Sequence, residues 1–197
     1  MGNVSFPDGL AVLVARAETG DAPAKDALFA TLYRELHRLA QSHLHRSAGP
    51  LTLGATTLLH ETYLNIASRD ELAFPDRARF LAYASRAMRG LVIHYLRTRN
   101  ARKRGGELTF TSLDEAQAQP AEEHADLVAL SAALDRLATL DPPLAELVDL
   151  KFFSGFSFAD IAGLRGVSER TVQRDWAKAR LILHTYLQAD QSALLDD

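Results

Sequence analysis

Apolar residues recur along most of this chain at intervals of three and four, the spacing of one face of an α-helix. Residues 24–45 put Leu28, Leu32, Leu36 and Leu39 on one stripe, with Phe29 and Leu44 filling it. Ser47, Ala48, Gly49 and Pro50 break that period. A second helix is predicted over residues 57–67, carrying Leu58, Leu59, Tyr63, Leu64 and Ile66. After a loop at Phe74-Pro75, residues 80–99 read as a long helix, apolar on one face and arginine-bearing on the other. Gly105-Gly106 ends that segment. Residues 107–123 hold no sustained period and contain Pro120, the mark of a linker. Further helices are predicted over 127–140, stopped by Asp141-Pro142-Pro143, and over 144–153, closed by Gly155. There is no strand-like alternation of useful length and no internal repeat. The pattern predicts an all-α chain of two small helical domains, residues 1–106 and 127–190, joined by a linker over 107–126.

The last part of the chain, residues 158–186, reads as a helix-turn-helix. Ser157 can cap a short first helix over 158–164 by accepting a backbone N–H. Arg165, Gly166 and Val167 make the turn, with Gly166 able to supply a positive φ. Ser168 caps the second helix, and Ile161, Ala162, Val167 and Val172 are apolar where the helices must touch. Helix-turn-helix units place the start of the second helix in the DNA major groove. Ser168, Glu169, Arg170, Thr171, Gln173 and Arg174 lie in that start. Arg170 and Arg174 suit a guanine edge or a phosphate, whereas Lys178 and Arg180, further along, suit phosphates. Trp176 reads as a core anchor. An ordinary αα-corner would show the turn glycine, but not the cap, the apolar pattern and the basic face together.

Charge adds a second nucleic-acid candidate. The net charge of −3 over 197 residues argues against such a partner, but its distribution reverses the reading. Residues 77–106 contain no acid, while Arg86, Arg89, Arg97, Arg99, Arg102, Lys103 and Arg104 are basic. Residues 107–126 contain no Lys or Arg, while Glu107, Asp114, Glu115, Glu122, Glu123 and Asp126 are acidic. Tyr83, His94 and Tyr95 interleave the basic run, and aromatic faces among arginines suit unpaired bases. A surface helix with solvated arginines explains this segment equally well when it is taken alone.

Other classes fall away. The chain has no cysteine, so disulfides, cysteine-ligated zinc and a cysteine nucleophile are excluded. His60-Glu61 begins an HExxH pattern, but Leu64 stands where the second histidine is needed. His37, His43 and His45 make no convincing ligand set. There is no Gly-rich phosphate loop and no GxSxG. No apolar run approaches the ~18 residues of a membrane span, and the first residues lack the basic start and cleavage site of a signal peptide. Phe6 spoils a loose myristoylation pattern. The expectation is a cytoplasmic protein, not an enzyme, with no metal or cofactor and no membrane partner, monomeric when free.

Taken in order, these segments resemble an extracytoplasmic-function (ECF) sigma factor of bacterial RNA polymerase. Residues 24–45 resemble region 2.1. GATTLLHETYLNIA, residues 54–67, resembles region 2.2, and residues 80–106 resemble regions 2.3 and 2.4. LDRLATLDPPLAELVDLKFFSGFSFADIAGLRGVSERTVQ, within residues 134–186, resembles region 4. NARKRGG followed by SLDEA is similar to a subgroup of these factors. The resemblance implies that residues 1–106 dock on the β′ clamp helices and melt and read the minus-ten element. It implies polymerase contacts at Leu58, Leu59, Glu61, Thr62 and Asn65, and DNA contacts at Arg86, Arg89, Tyr95, Arg97, Arg99, Arg102, Lys103 and Arg104. Residues 127–190 would read the minus-thirty-five element and meet the β flap. The acidic linker would thread a polymerase channel that otherwise holds RNA. The other reading of the residues is a stand-alone helix-turn-helix regulator that binds duplex DNA unaided.

Two departures from the family pattern stand out. An acidic Asp-Ala-Glu-Asp run usually opens region 2.2, and here the aligned residues are Gly54, Ala55, Thr56 and Thr57. Three carboxylates are missing from a surface expected to meet basic residues. Desolvated charged interface pairs are worth roughly 1.5–7 kcal/mol each. A phosphothreonine carries about −1.5 to −2 charge and suits a helix N-terminus. The expectation is that a Ser/Thr kinase phosphorylates Thr56 or Thr57 and so switches on core binding; Thr57 as a plain helix cap is the simpler reading. The second departure is His94, where the family often has Asp, which bears on minus-ten preference.

Overall fold

The computed structural model describes residues 12–13, 16, 21–46, 53–67, 76–104 and 118–195. Among these residues the chain is all-helical, as the spacing predicts. Helix α1 spans Ala22–His45 and is capped by Asp21, whose side chain accepts from the Ala24 N–H at 3.2 Å. Its stripe buries Leu28, Leu32, Leu36 and Leu39. Helix α2, Ala55–Ala67, begins two residues before the expected start and buries Leu58, Leu59, Thr62 and Ile66. Helix α3 runs Arg77–Arg104, past both expected ends. Its buried positions include Phe80, Leu81, Ala84, Met88, Val92 and Leu96. The three helices pack on one another, and Phe29 sits edge-on to both Tyr63 and Phe80, at 5.0 and 5.8 Å.

Helix α4 spans Ala118–Leu140, so the last part of the expected linker is helical. Pro120 falls in its first turn, where a missing N–H breaks no helical bond. The rest of the expected linker, and the expected breaks at residues 47–50, 74–75 and 105–106, lie outside the described residues. Asp141 then caps α5, Pro142–Val148, by accepting from the Leu144 N–H. The helix does not run on regularly to residue 153. It widens into a π-helical turn over Asp149–Phe153, which Gly155 leaves with φ 76°. Helix α6, Phe158–Arg165, and helix α7, Glu169–Leu195, complete the fold. Helix α7 is longer than the pattern suggests.

The two halves do not stand apart. Helix α3 packs against α4, α5, the π turn and α6, and α1 also touches the π turn. The apolar interior is continuous from Leu28 to Leu183.

Candidate nucleic-acid and polymerase interface

The helix-turn-helix forms as its residues dictate. Ser157 and Asp160 make a reciprocal cap, each side chain accepting the other's backbone N–H at 3.0 and 2.9 Å. The Ser157 hydrogen bonds hold the Asp160 carboxyl below the usual carboxylate range. Gly166 adopts φ 65° and ends α6 in the left-handed conformation. Ser168 caps α7, its hydroxyl accepting from the Thr171 N–H at 3.2 Å. Ile161, Ala162 and Val172 are buried between the helices, whereas Val167, expected at the same contact, is 42% exposed. Trp176 is half-buried edge-on to Phe158.

The start of α7 thus presents Ser168, Glu169, Arg170, Gln173 and Arg174 to solvent, with Thr171 half-buried. Glu169 and Gln173 bond each other at 3.1 Å. The Arg174 side chain is 76% exposed and lies 3.4 Å from Asp175. Lys178, one turn on, is tied to Asp141 at 2.9 Å.

On α3, Arg86, Gly90, His94, Arg97 and Ala101 are exposed and fall on one stripe. Tyr95 and Arg99 are half-buried beside it. The side chains of Arg102, Lys103 and Arg104 lie outside the described residues. Arg89 departs from the expectation. It is 2% exposed and cannot meet DNA in this conformation. Its guanidinium donates to Asp149 at 2.7 Å, to the Ser131 hydroxyl at 2.5 Å and carbonyl at 3.1 Å, and to Asp135 at 3.1 Å. The physical reason is register: Arg89 lies between the core positions Ser85, Met88 and Val92 rather than on the exposed stripe.

Comparison with protein families settles the class. A model of the ECF sigma factor family matches residues 8–189. The chain belongs to the ECF sigma factor family. Its members bind RNA polymerase and direct promoter-specific initiation, as transcription factors rather than enzymes. Curated proteins and solved structures give no match. No helix among the described residues of this sigma factor is long and apolar enough to cross a membrane.

The expected polymerase contacts on α2 need correction. Leu58, Leu59 and Thr62 are interior, 0–3% exposed, and the Thr62 hydroxyl donates to the Leu58 carbonyl. They hold α2 to its neighbours and are not exposed in this conformation. The surface that α2 does offer is Thr56, Thr57, His60, Glu61 and Leu64, with Asn65 half-buried. Leu64 is 46% exposed, and the first turn of α2 contains no acid. Elsewhere on the sigma factor, an apolar groove of about 600 Å³ opens between α4, the π turn and α7. Leu130, Phe152, Trp176, Leu181 and Leu187 line it, and Leu181 is 70% exposed.

Sequence reasoning missed the polar cluster at the centre. The Ser85 hydroxyl donates to the Asp149 carbonyl at 3.0 Å and shares a 2.6 Å hydrogen bond with Ser154. His43 Nε2 lies 3.2 Å from Ser85 Oγ and 3.4 Å from Ser154 Oγ, its ring stacked on Phe153. Burial lowers the His43 imidazole to about 3, helped by the charges of Arg89 and Arg46. Burial pushes the Asp149 carboxyl up, against the pull of Arg89. The available signals were the acid Asp149, which falls among the apolar positions Leu147, Val148, Leu150 and Phe153, and one arginine in core register on α3.

Proposed function

We propose that this sigma factor meets polymerase core through the N-terminal part of α2 and is switched on by a Ser/Thr kinase acting at Thr56 or Thr57. One observation carries the reading: two exposed threonines occupy the acid-free first turn of the helix where the family usually places carboxylates. A phosphate there restores roughly two charges, beside free N–H groups and a favourable helix dipole. Glu61 and Leu64 extend the same exposed surface.

In this reading residues 1–106 act as region 2 and residues 127–190 as region 4, with the intervening segment as tether. The exposed α3 stripe and the start of α7 take the minus-ten and minus-thirty-five elements. The α7 groove fits an apolar helix of the β flap. The free protein is a monomer.

The test is affinity for polymerase core. The unmodified chain is compared with the chain phosphorylated at Thr56 or Thr57 and with Thr56→Glu and Thr57→Glu, singly and together. Binding that tightens at least about tenfold on modification supports the switch, since a restored charged pair of 1.5 kcal/mol or more has that effect. Equal binding in all forms removes the switch and leaves the polymerase role. Tight specific binding to duplex DNA without polymerase favours a stand-alone regulator.

A further inference from the structure

We propose that the Arg89–Asp149 pair, with the Ser85, Ser154 and His43 cluster beside it, is a latch that holds the two halves of the free chain closed and opens when polymerase and promoter are engaged. The proposal rests on membership of the sigma factor family, but not on the threonine switch.

The chemistry of the contact points to a reversible joint. Three cations of the N-terminal half grip the C-terminal half. Arg89 binds Asp149 and Asp135, Arg79 binds Glu146 at 2.6 Å, and Arg46 lies 5.3 Å over the Phe152 ring. Acids of the second half thus occupy arginines of the helix that carries the basic stripe, as DNA phosphates would. A buried ion pair fixes register, yet its desolvation cost roughly cancels its attraction. Parting the halves returns both charges to water together, so opening costs far less than the geometry suggests. Removing one partner alone has the opposite consequence, because the survivor must find water. The π turn serves this joint by turning both the Asp149 carboxylate and its carbonyl toward α3.

The same joint offers its own test. A Cβ placed on Gly155 would lie 3.8 Å from the Ser42 Cβ, the mean separation across a disulfide. The chain has no cysteine of its own, so Ser42→Cys with Gly155→Cys creates a single possible bridge. The positive φ of Gly155 strains the substitution in the oxidised and reduced forms alike.

Three measurements decide the matter. The double variant is expected to oxidise readily as the free protein. Adding Arg89→Gln, or Asp149→Asn on the other half, is expected to slow oxidation at least about tenfold, as the unpaired survivor drives the halves apart. Helicity by circular dichroism shows whether each variant stays folded, and if one does not, the other decides. The oxidised form, kept in whichever phosphorylation state binds core, is expected to lose promoter opening at least about tenfold and to regain it on reduction. Failure to oxidise, an unchanged rate without the pair, or equal promoter opening by the oxidised and reduced forms would each overturn the latch. A reduced form that never binds core refutes the polymerase role instead, while the oxidation rates still decide the latch.

Discussion

Helices α3 and α7 are both long and basic, yet they spend their arginines differently. Helix α7 keeps Arg170 and Arg174 exposed beyond a capped, well-defined turn. Helix α3 buries Arg89 completely and ties Arg79 to Glu146. On α7 an arginine is available for recognition and adds little to the fold. On α3 the central arginine is part of the interior, and exposure is confined to the stripe through Arg86, His94 and Arg97. A basic residue in a long basic helix therefore has two fates, set by register against the core rather than by residue type.

The sharpest way to break this contrast is to remove the buried cation. Arg89→Met is expected to cost about 3–5 kcal/mol in urea unfolding, because Asp149 is left buried and unpaired. Arg89→Met with Asp149→Leu is expected to recover that loss, as apolar substitutes for buried pairs often do. If the single and double variants are equally unstable, the pair is not the source of the effect.

On α7 the expected result is inverted. Arg174→Ala, and separately Arg170→Ala, should leave the unfolding midpoint within about 0.5 kcal/mol of the parent, as exposed positions do. Either should cost holoenzyme about 1–3 kcal/mol of promoter affinity if it reads a base edge. A stability loss comparable to that of Arg89→Met would erase the distinction between the helices.

What the sequence makes legible follows the same division. Caps and turns are local, so Ser157, Gly166 and Ser168 declare the helix-turn-helix without knowledge of the rest of the chain. Helix stripes are nearly as local, which is why α1 appears with almost its observed bounds. Interior and surface on α2 are harder, because Leu58, Leu59 and Thr62 could face a partner or the core until α1 and α3 are in place. The joint between the halves is least legible. Arg89 and Asp149 lie sixty positions apart, and neither has a local reason to be buried. A bond of that span is visible only as two misplaced charges in apolar registers. The basic run around Arg89 suits DNA as a local pattern, whereas the register of Arg89 turns it inward.

Acid should open the joint from its other side. His43 faces Ser85, Ser154 and Phe153, with Arg89 and Arg46 near enough to repel a proton. Its folded value of about 3 lies below its ordinary 6.5. The unfolded chain therefore binds the proton first, and stability is lost as pH falls from 6.5 toward 3. At pH 5.5 the loss from His43 is on the order of 1 kcal/mol. Asp149, raised by burial, acts in the opposite sense, so the His43 contribution is read as the difference in acid slope between the parent and His43→Phe. Identical slopes would show that His43 is not buried neutral in solution.

The smallest expected effect tests whether α7 is as free of structural duty as its exposure suggests. Lys178 suits a phosphate, yet it rests on Asp141, the cap of α5, at 2.9 Å. An exposed pair of this kind contributes about 0.2–1 kcal/mol. Lys178→Ala should therefore lower stability only slightly, while reducing the salt dependence of promoter binding by about one counterion. Asp141→Ala removes a cap as well as the pair and should cost about 1 kcal/mol more. If Lys178→Ala changes stability but leaves the salt slope unaltered, the lysine belongs with Arg89 as a structural cation, and the contrast holds only for the first turns of α7. If it changes the slope alone, the whole exposed face of α7 is free for DNA, and the tie to Asp141 is released when phosphate arrives.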